Sequence, residues 1–170
     1  MANPTQVLIA SHTTASGGEA SWTFSSISGT YTDLKIVISG RCNFSTTNPW
    51  TTFSLAFNGG SNLSSDITLY GIGSGAGSGN LGGSSGYATN AAATSNTFSN
   101  IEFYIPNYAS SNYKSIAIDG VTENNGTAAL QTLIAELWSS TSAITSITLT
   151  MSQGTLLQYS SFSLYGIKNS

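Results

Sequence analysis

The sequence predicts an all-β fold, a sandwich or barrel of about ten short strands. Three observations carry this. Apolar residues alternate with polar or small ones in run after run, the period of a strand with one buried face. Residues that tolerate positive φ, as in Asn58-Gly59-Gly60 and Asn124-Asn125-Gly126, stand between the runs. One phrase, Leu-Tyr-Gly-Ile, ends two such runs, at Leu69–Ile72 and Leu164–Ile167.

Taken in order, the first run is Gln6–Ser11, short and apolar. Ser21–Ile27 places Trp22 and Phe24 on one face. In Asp33–Arg41, Leu34, Ile36 and Ile38 point inward while Lys35, Ser39 and Arg41 point out. Thr52–Asn58 alternates through Phe53, Leu55 and Phe57, and Asp66–Ile72 follows. Phe98–Pro106 turns Ile101, Phe103 and Ile105 inward, and Lys114–Val121 carries Ile116 and Ile118. Ala129–Trp138 fits two periods. Leu130, Leu133, Ile134, Leu137 and Trp138 have helical spacing, whereas Leu133, Ala135 and Leu137 share one face of a strand. Its all-β surroundings favour the strand. Ile144–Ser152 presents Ile147, Leu149 and Met151, and Ser161–Lys168 closes the series. Pro4, Pro49 and Pro106 sit at run ends, where a missing amide donor does least harm.

Between the fifth and sixth runs, Gly71–Gly86 holds eight glycines in sixteen residues. With the residues up to Asn96 it reads as a long irregular insertion (71–96), too small-chained for a core strand and suited to threading against a neighbouring subunit. The two Leu-Tyr-Gly-Ile copies are most simply two core strands with one packing solution. A true duplication from Tyr31–Ile72 to Tyr113–Ile167 would need an insertion in the second half.

Length and composition point to a single domain over residues 1–170, with a short N-terminal arm, Met1–Thr5. Charged residues are 6% of the chain, against about 25% in ordinary domains. Three Trp, eight Tyr and seven Phe separate it from disordered chains, which lack aromatics. The net charge is −3, and the cations Lys35, Arg41, Lys114 and Lys168 are scattered. They make neither the basic stripe that nucleic acid requires nor a polybasic membrane patch, so neither partner is expected. A hydroxyl- and amide-rich surface with so little charge suits dense assembly or contact with neutral sugars. The N-terminal segment has no positive region and only a four-residue apolar run, so it does not read as a signal peptide.

No motif carries chemistry, and no catalytic residue, metal or cofactor is expected. His12, the single histidine, reads as an exposed or hydrogen-bonded strand-end residue. Cys42, the single cysteine, reads as a structural thiol although Arg41 precedes it. Asp119 and Glu123 with Asn124 and Asn125 have calcium-binding oxygens without the spacing of a helix–loop–helix site. Gly77, Gly79 and Gly82 match the spacing of a dinucleotide loop, but no helix can start at Gly83-Ser84-Ser85-Gly86. Asn43-Phe44-Ser45, Asn62-Leu63-Ser64 and Asn125-Gly126-Thr127 are glycosylation sequons of the sort that chance gives a chain rich in Ser, Thr and Asn. The residues expected at an interface or on a glycan are aromatic: Trp50 after Pro49, and Tyr104, Tyr108 and Tyr113 around Pro106.

Several of these segments together resemble the small structural proteins of tailed bacteriophages. The C-terminal run Ala143-Ile144-Thr145-Ser146-Ile147-Thr148-Leu149, then Gly154, then Ser160 to Ile167, is similar to a recurring ending in that group. Tyr31-Thr32-Asp33-Leu34-Lys35-Ile36, Phe57-Asn58-Gly59-Gly60 and Leu69-Tyr70-Gly71 fit the same pattern. The resemblance implies a jelly-roll-like antiparallel β-sandwich and a non-enzymatic role on the virion surface, after synthesis in the host cytoplasm. The expected role is that of a capsid decoration (cement) protein, a homotrimer bridging the major capsid protein or other virion proteins. The alternative is a tail-fibre or receptor-binding module recognising host surface glycan. A glycan-cleaving enzyme would need two carboxylates about 5–10 Å apart in a groove, and Glu102 and Asp119 are the acids to test.

Overall fold

The structure, a computed structural model, describes residues 5–60, 63, 67–72, 75–79, 85–123 and 129–168. Most of the expected N-terminal arm, the Asn124-Asn125-Gly126 turn and the sequons at Asn62 and Asn125 lie outside them. Among the described residues twelve strands follow one another: β1 (Gln6–Thr13), β2 (Ser21–Phe24), β3 (Asp33–Gly40), β4 (Trp50–Phe57), β5 (Ile67–Ile72), β6 (Gly75–Gly79), β7 (Gly86–Thr89), β8 (Ser99–Ile105), β9 (Lys114–Thr122), β10 (Leu130–Trp138), β11 (Ile147–Met151) and β12 (Ser161–Ile167).

They form two antiparallel sheets, ordered β1-β12-β3-β8-β9-β10-β5-β6 and β2-β11-β4-β7. Set aside β5, β6, β9 and β10, and two four-stranded sheets remain, β1-β12-β3-β8 over β2-β11-β4-β7. The chain changes sheet at nearly every step through them, which is the jelly roll. The other four strands are two hairpins, one inserted between β4 and β7 and one between β8 and β11. β5 pairs with β10 from Ile67↔Ala135 to Ile72↔Leu130. The two insertions thus zip together and lengthen one sheet to eight strands. β7, the edge of the smaller sheet, lies over β8 and β9. Strands β10, β5 and β6 therefore project past it.

The core sits between the sheets, built from the alternations read in the sequence. Leu34, Ile36, Ile101, Phe103, Ile105 and Leu164 of the large sheet are fully buried against Phe53, Leu55, Phe57, Ile147 and Leu149 of the small one. Each such side chain stabilises the fold by about 1.5–3 kcal/mol relative to exposure. Ala129–Trp138 is a strand, with even residues in and odd residues out.

Three expectations are corrected. The glycine-rich stretch is not an irregular insertion throughout. Gly75–Gly79 pairs with β5, and Gly86–Thr89 is a wholly buried strand on β4. Glycine is required there: a Cβ on Gly86 would stand 2.4 Å from the Phe53 ring. Arg41 does not point out. It is buried, and its guanidinium donates to the carbonyls of Thr94 and Thr97 at 2.9 Å and of Ala93 at 3.2 Å. Those carbonyls replace water and fasten the loop between β7 and β8. Lys114 does the same at the far end of the sheet. Its ammonium reaches the carbonyls of Ser110, Ser140 and Ser142 at 2.8, 3.3 and 2.5 Å and lies 5.1 Å from the Trp138 ring centre.

The third correction concerns the repeated phrase. Leu164 of β12 is 0% exposed, whereas Leu69 of β5 is 55% exposed. The copies present opposite faces, so they do not share one packing solution. Their glycines differ as well. The Tyr31 ring covers Gly166, 2.3 Å from where a Cβ would stand, while the nearest atom to a Cβ on Gly71 is 3.8 Å away. Gly166→Ala is therefore expected to destabilise the protein by about 1–3 kcal/mol through overpacking. Gly71→Ala should change stability by under about 0.5 kcal/mol. Urea midpoints of the two variants check this pair.

Candidate functional site: the outer face of the sheet extension and an aromatic corner

Registry fixes what the outer face of the large sheet displays. One row across it reads Tyr165, Lys35, Tyr104, Ala117, Ala135 and Ile67. The next reads Ser163, Val37, Glu102, Asp119, Leu133 and Leu69. On the jelly-roll half these rows are mixed, with Leu8 of β1, 52% exposed, beside Tyr165 and with Val37 between Ser163 and Glu102. On the extension they turn aliphatic, with Ile67 65%, Leu69 55% and Leu133 53% exposed. Together with Tyr104, Ala135 and the carboxylates Glu102 and Asp119 these side chains line a shallow depression of about 290 Å³.

The inner face of the same strands runs opposite to the usual pattern. Thr68, Thr122, Thr132 and Glu136 are buried there. The hydroxyls of Thr122 and Thr132 donate to the carbonyls of Leu130 and Gly120, each at 3.5 Å. Strand β10 is consequently apolar at Leu130, Ile134 and Trp138 inside and at Leu133, Ala135 and Leu137 outside. Apolar residues on both faces are the mark of a strand covered on both sides. One cover, the sandwich interior, is present within the chain.

Charge on this face is confined to its middle. Glu102 and Asp119 are directly opposed on β8 and β9, and the Lys35 ammonium is 2.8 Å from Glu102. The structure thus pairs the two acids that a glycan-cleaving site would need, but engages one of them in an ion pair on an open sheet. Among the described residues no three His, Cys, Asp or Glu side chains gather in a way that could hold a metal ion.

The four aromatics expected at an interface are dispersed. Tyr104 is exposed on the outer face, and its hydroxyl donates to Asp33 Oδ2 at 2.6 Å. This bond raises the phenol pKa above its ordinary value. Asp33 Oδ1 also accepts from the Asn107 amide at 2.8 Å, which fixes the turn after β8. Tyr113, just before β9, is 59% exposed. Tyr108 is no contact residue: it is 0% exposed, and its hydroxyl donates to the Ser28 carbonyl. The reason is the turn at Asn107, with φ 49°, which folds the chain back over the core.

Trp50 is the first residue of β4, and it is half-buried. It stands in the corner where the small sheet meets the projecting strands. Trp50, Tyr87 of β7, and Tyr70 and Ile72 of β5 line a cleft of about 200 Å³ with Asn48 at its mouth and Leu130 at its floor. Asn90, wholly buried, fixes this corner: its side-chain amide donates to the carbonyls of Asn48 and Trp50 at 2.9 Å each, and its backbone amide donates to that of Pro49 at 3.1 Å.

His12 and Cys42 hold structural places. The His12 ring stacks on Trp22 with centres 3.4 Å apart and planes 3° from parallel, and Nε2 lies 2.6 Å from Glu19 Oε2. Cys42 is fully buried, and burial pushes its thiol pKa up. Gly77 and Gly79 lie on β6, a strand, not on a phosphate-binding loop.

Sequence reasoning missed Ile67, Leu69 and Leu133 as surface residues and Tyr70 and Tyr87 as neighbours of Trp50. The first group had a signal, the apolar run at both alternations of Ala129–Trp138. The second had none, because three separate strands bring its members together. Comparison with protein-family models, curated proteins and solved structures gave no match.

Burial raises the Tyr108 phenol above its ordinary 10.0. The neutral form is favoured in the folded state, so its contribution is complete below the unfolded value, about pH 10, and is lost as pH rises through the folded value. Tyr104 acts in the same direction. Lys114, whose pKa is lowered by burial, acts oppositely, its contribution rising with pH. Both groups are retained in Tyr108→Phe and cancel in the comparison. That variant should be less stable at neutral pH by about 1–2 kcal/mol and should lose less stability than the parent above pH 10, as read from urea midpoints across pH.

Proposed function

We propose that the protein is a non-enzymatic structural component of a tailed-phage virion: a capsid decoration protein that binds as a homotrimer to the virion surface and bridges capsid subunits. The observation that carries this reading is the extension, whose outer face exposes Ile67, Leu69 and Leu133 and whose strand β10 is apolar on both faces with one face covered within the chain. A monomer designed to stay free would put Thr68, Thr132 and Glu136 outside and Ile67, Leu69 and Leu133 inside. The reverse arrangement suits a surface whose second cover is another protein. The resemblance in the strand and turn phrases supplies the kind of assembly, and the low charge content suits dense packing of copies on a shell.

Covering three half-exposed aliphatic side chains contributes roughly 1 kcal/mol each. The sum is more than a hundredfold in affinity, multiplied again when several copies bind together. The rigid sandwich holds these side chains on adjacent strands, so little ordering is needed on binding.

Leu133→Glu places a second carboxylate directly opposite Asp119 on the β9–β10 ladder, and covering the face would bury the two like charges together. It should cost the free protein no more than about 1 kcal/mol. Co-sedimentation with phage capsids stripped of accessory proteins, with stoichiometry by gel densitometry, should show saturable binding by the parent and at least tenfold weaker binding by the variant. Equal binding by both, or none by the parent, would remove this reading.

A further inference from the structure

We infer that the aromatic corner is a binding site for a neutral sugar ring, a function separate from the assembly surface. A pyranose has an apolar C–H face and an equatorial rim of hydroxyls, and it carries no charge. The cleft offers the complement of each. Trp50 and Tyr70, both half-buried, give it aromatic surface on which a C–H face packs, and the buried Tyr87 backs them. The Asn48 side chain at the mouth has both donors and an acceptor for hydroxyls. Among the described residues none of the side chains lining the cleft is charged. At about 200 Å³ it falls below the range of sites for drug-sized ligands, roughly 300–1,000 Å³, which limits the occupant to about one ring.

The corner is also built to keep its shape. Asn90 ties Asn48, Pro49 and Trp50 together through three hydrogen bonds while itself 0% exposed. Its Oδ1 accepts from the Ala92 amide at 2.9 Å, which completes its own satisfaction. Tyr70 is held from the other side. Its hydroxyl end fills the space over Gly77, directly across the ladder, 2.6 Å from where a Cβ would be. An aromatic wall fixed by a buried amide on one side and by a bare glycine on the other loses little freedom when a ligand arrives. Asn90 is thus a positioning residue for the site, and Trp50 and Asn48 are its contacts.

The test is a titration of the full chain with glucose, galactose, mannose and N-acetylglucosamine, and with glucuronic acid as the charged counterpart. Tryptophan fluorescence and saturation-transfer NMR read the binding. Affinity for a single ring should lie in the millimolar range, for at least one neutral sugar and in preference to glucuronic acid. Trp50→Ala should weaken it at least about tenfold, Trp50→Phe by less, and Leu133→Glu not at all. Thermal melts confirm that the variants are folded. The inference is overturned if no neutral sugar binds the parent at about 50 mM, far above the expected range. It is equally overturned if Trp50→Phe and Trp50→Ala bind as the parent does, or if glucuronic acid binds best. The parent titration alone decides the matter should a variant fail to fold. Because Leu133→Glu separates the sites, loss of capsid binding and loss of sugar binding are independent results.

Discussion

A sheet has two faces, and a four-stranded sheet covers about half of one face of an eight-stranded sheet. Everything particular to this protein follows from that mismatch. The jelly-roll half, β1-β12-β3-β8 under β2-β11-β4-β7, closes on itself in the ordinary way. Among the added strands β9 lies under β7, while β10, β5 and β6 project past it. What they cover, and what covers them, has to come from side chains, from the corner with β4 and β7, and from outside the chain.

The pairing of β5 with β10 is the interaction on which the extension rests. It joins segments more than fifty residues apart through six registered positions. Contacts so distant in sequence close a long loop before any pairing is gained. The two buried cations sit at the ends of the surrounding connections and fasten them by main-chain carbonyls. Arg41 holds the turn from β7 to β8, and Lys114 holds the loops flanking the β9–β10 hairpin. In a chain with so few charges, two of four cations are spent inside the structure, which leaves the surface more neutral still.

Much of the sandwich was legible because one-sided burial writes itself as alternation. Leu34, Ile36, Ile38 and Phe53, Leu55, Phe57 needed no tertiary information. Alternation fails where both faces are apolar, and for that reason Leu130–Trp138 also fits helical spacing and reads as a strand only from its all-β surroundings. It fails again in glycine-rich strands, which have no pattern to show, so Gly75–Gly79 and Gly86–Thr89 read as an insertion. The repeated Leu-Tyr-Gly-Ile phrase misled because a one-residue change of phase moves a leucine from core to surface, and the phrase itself is identical in either phase. Arg41 looked exposed by parity, but it lies just past the end of β3, where parity no longer governs the side chain. Of the candidate contacts, Trp50 and Tyr104 keep accessible surface for local reasons. Tyr108 is buried by a turn at Asn107 whose positive φ has no signature beyond the residue type.

The claim at the centre is that the outer face of the extension is covered when the protein is at work. The most direct measurement is thiol labelling of Leu133→Cys, free and after addition to stripped capsids. The background is quiet, since Cys42, the single native thiol, is 0% exposed. Fast labelling in the free protein and strong protection on the capsid is the expected result. Equal labelling in both states would mean that this face stays open to water, and the reading of the extension as an assembly surface would have to be abandoned.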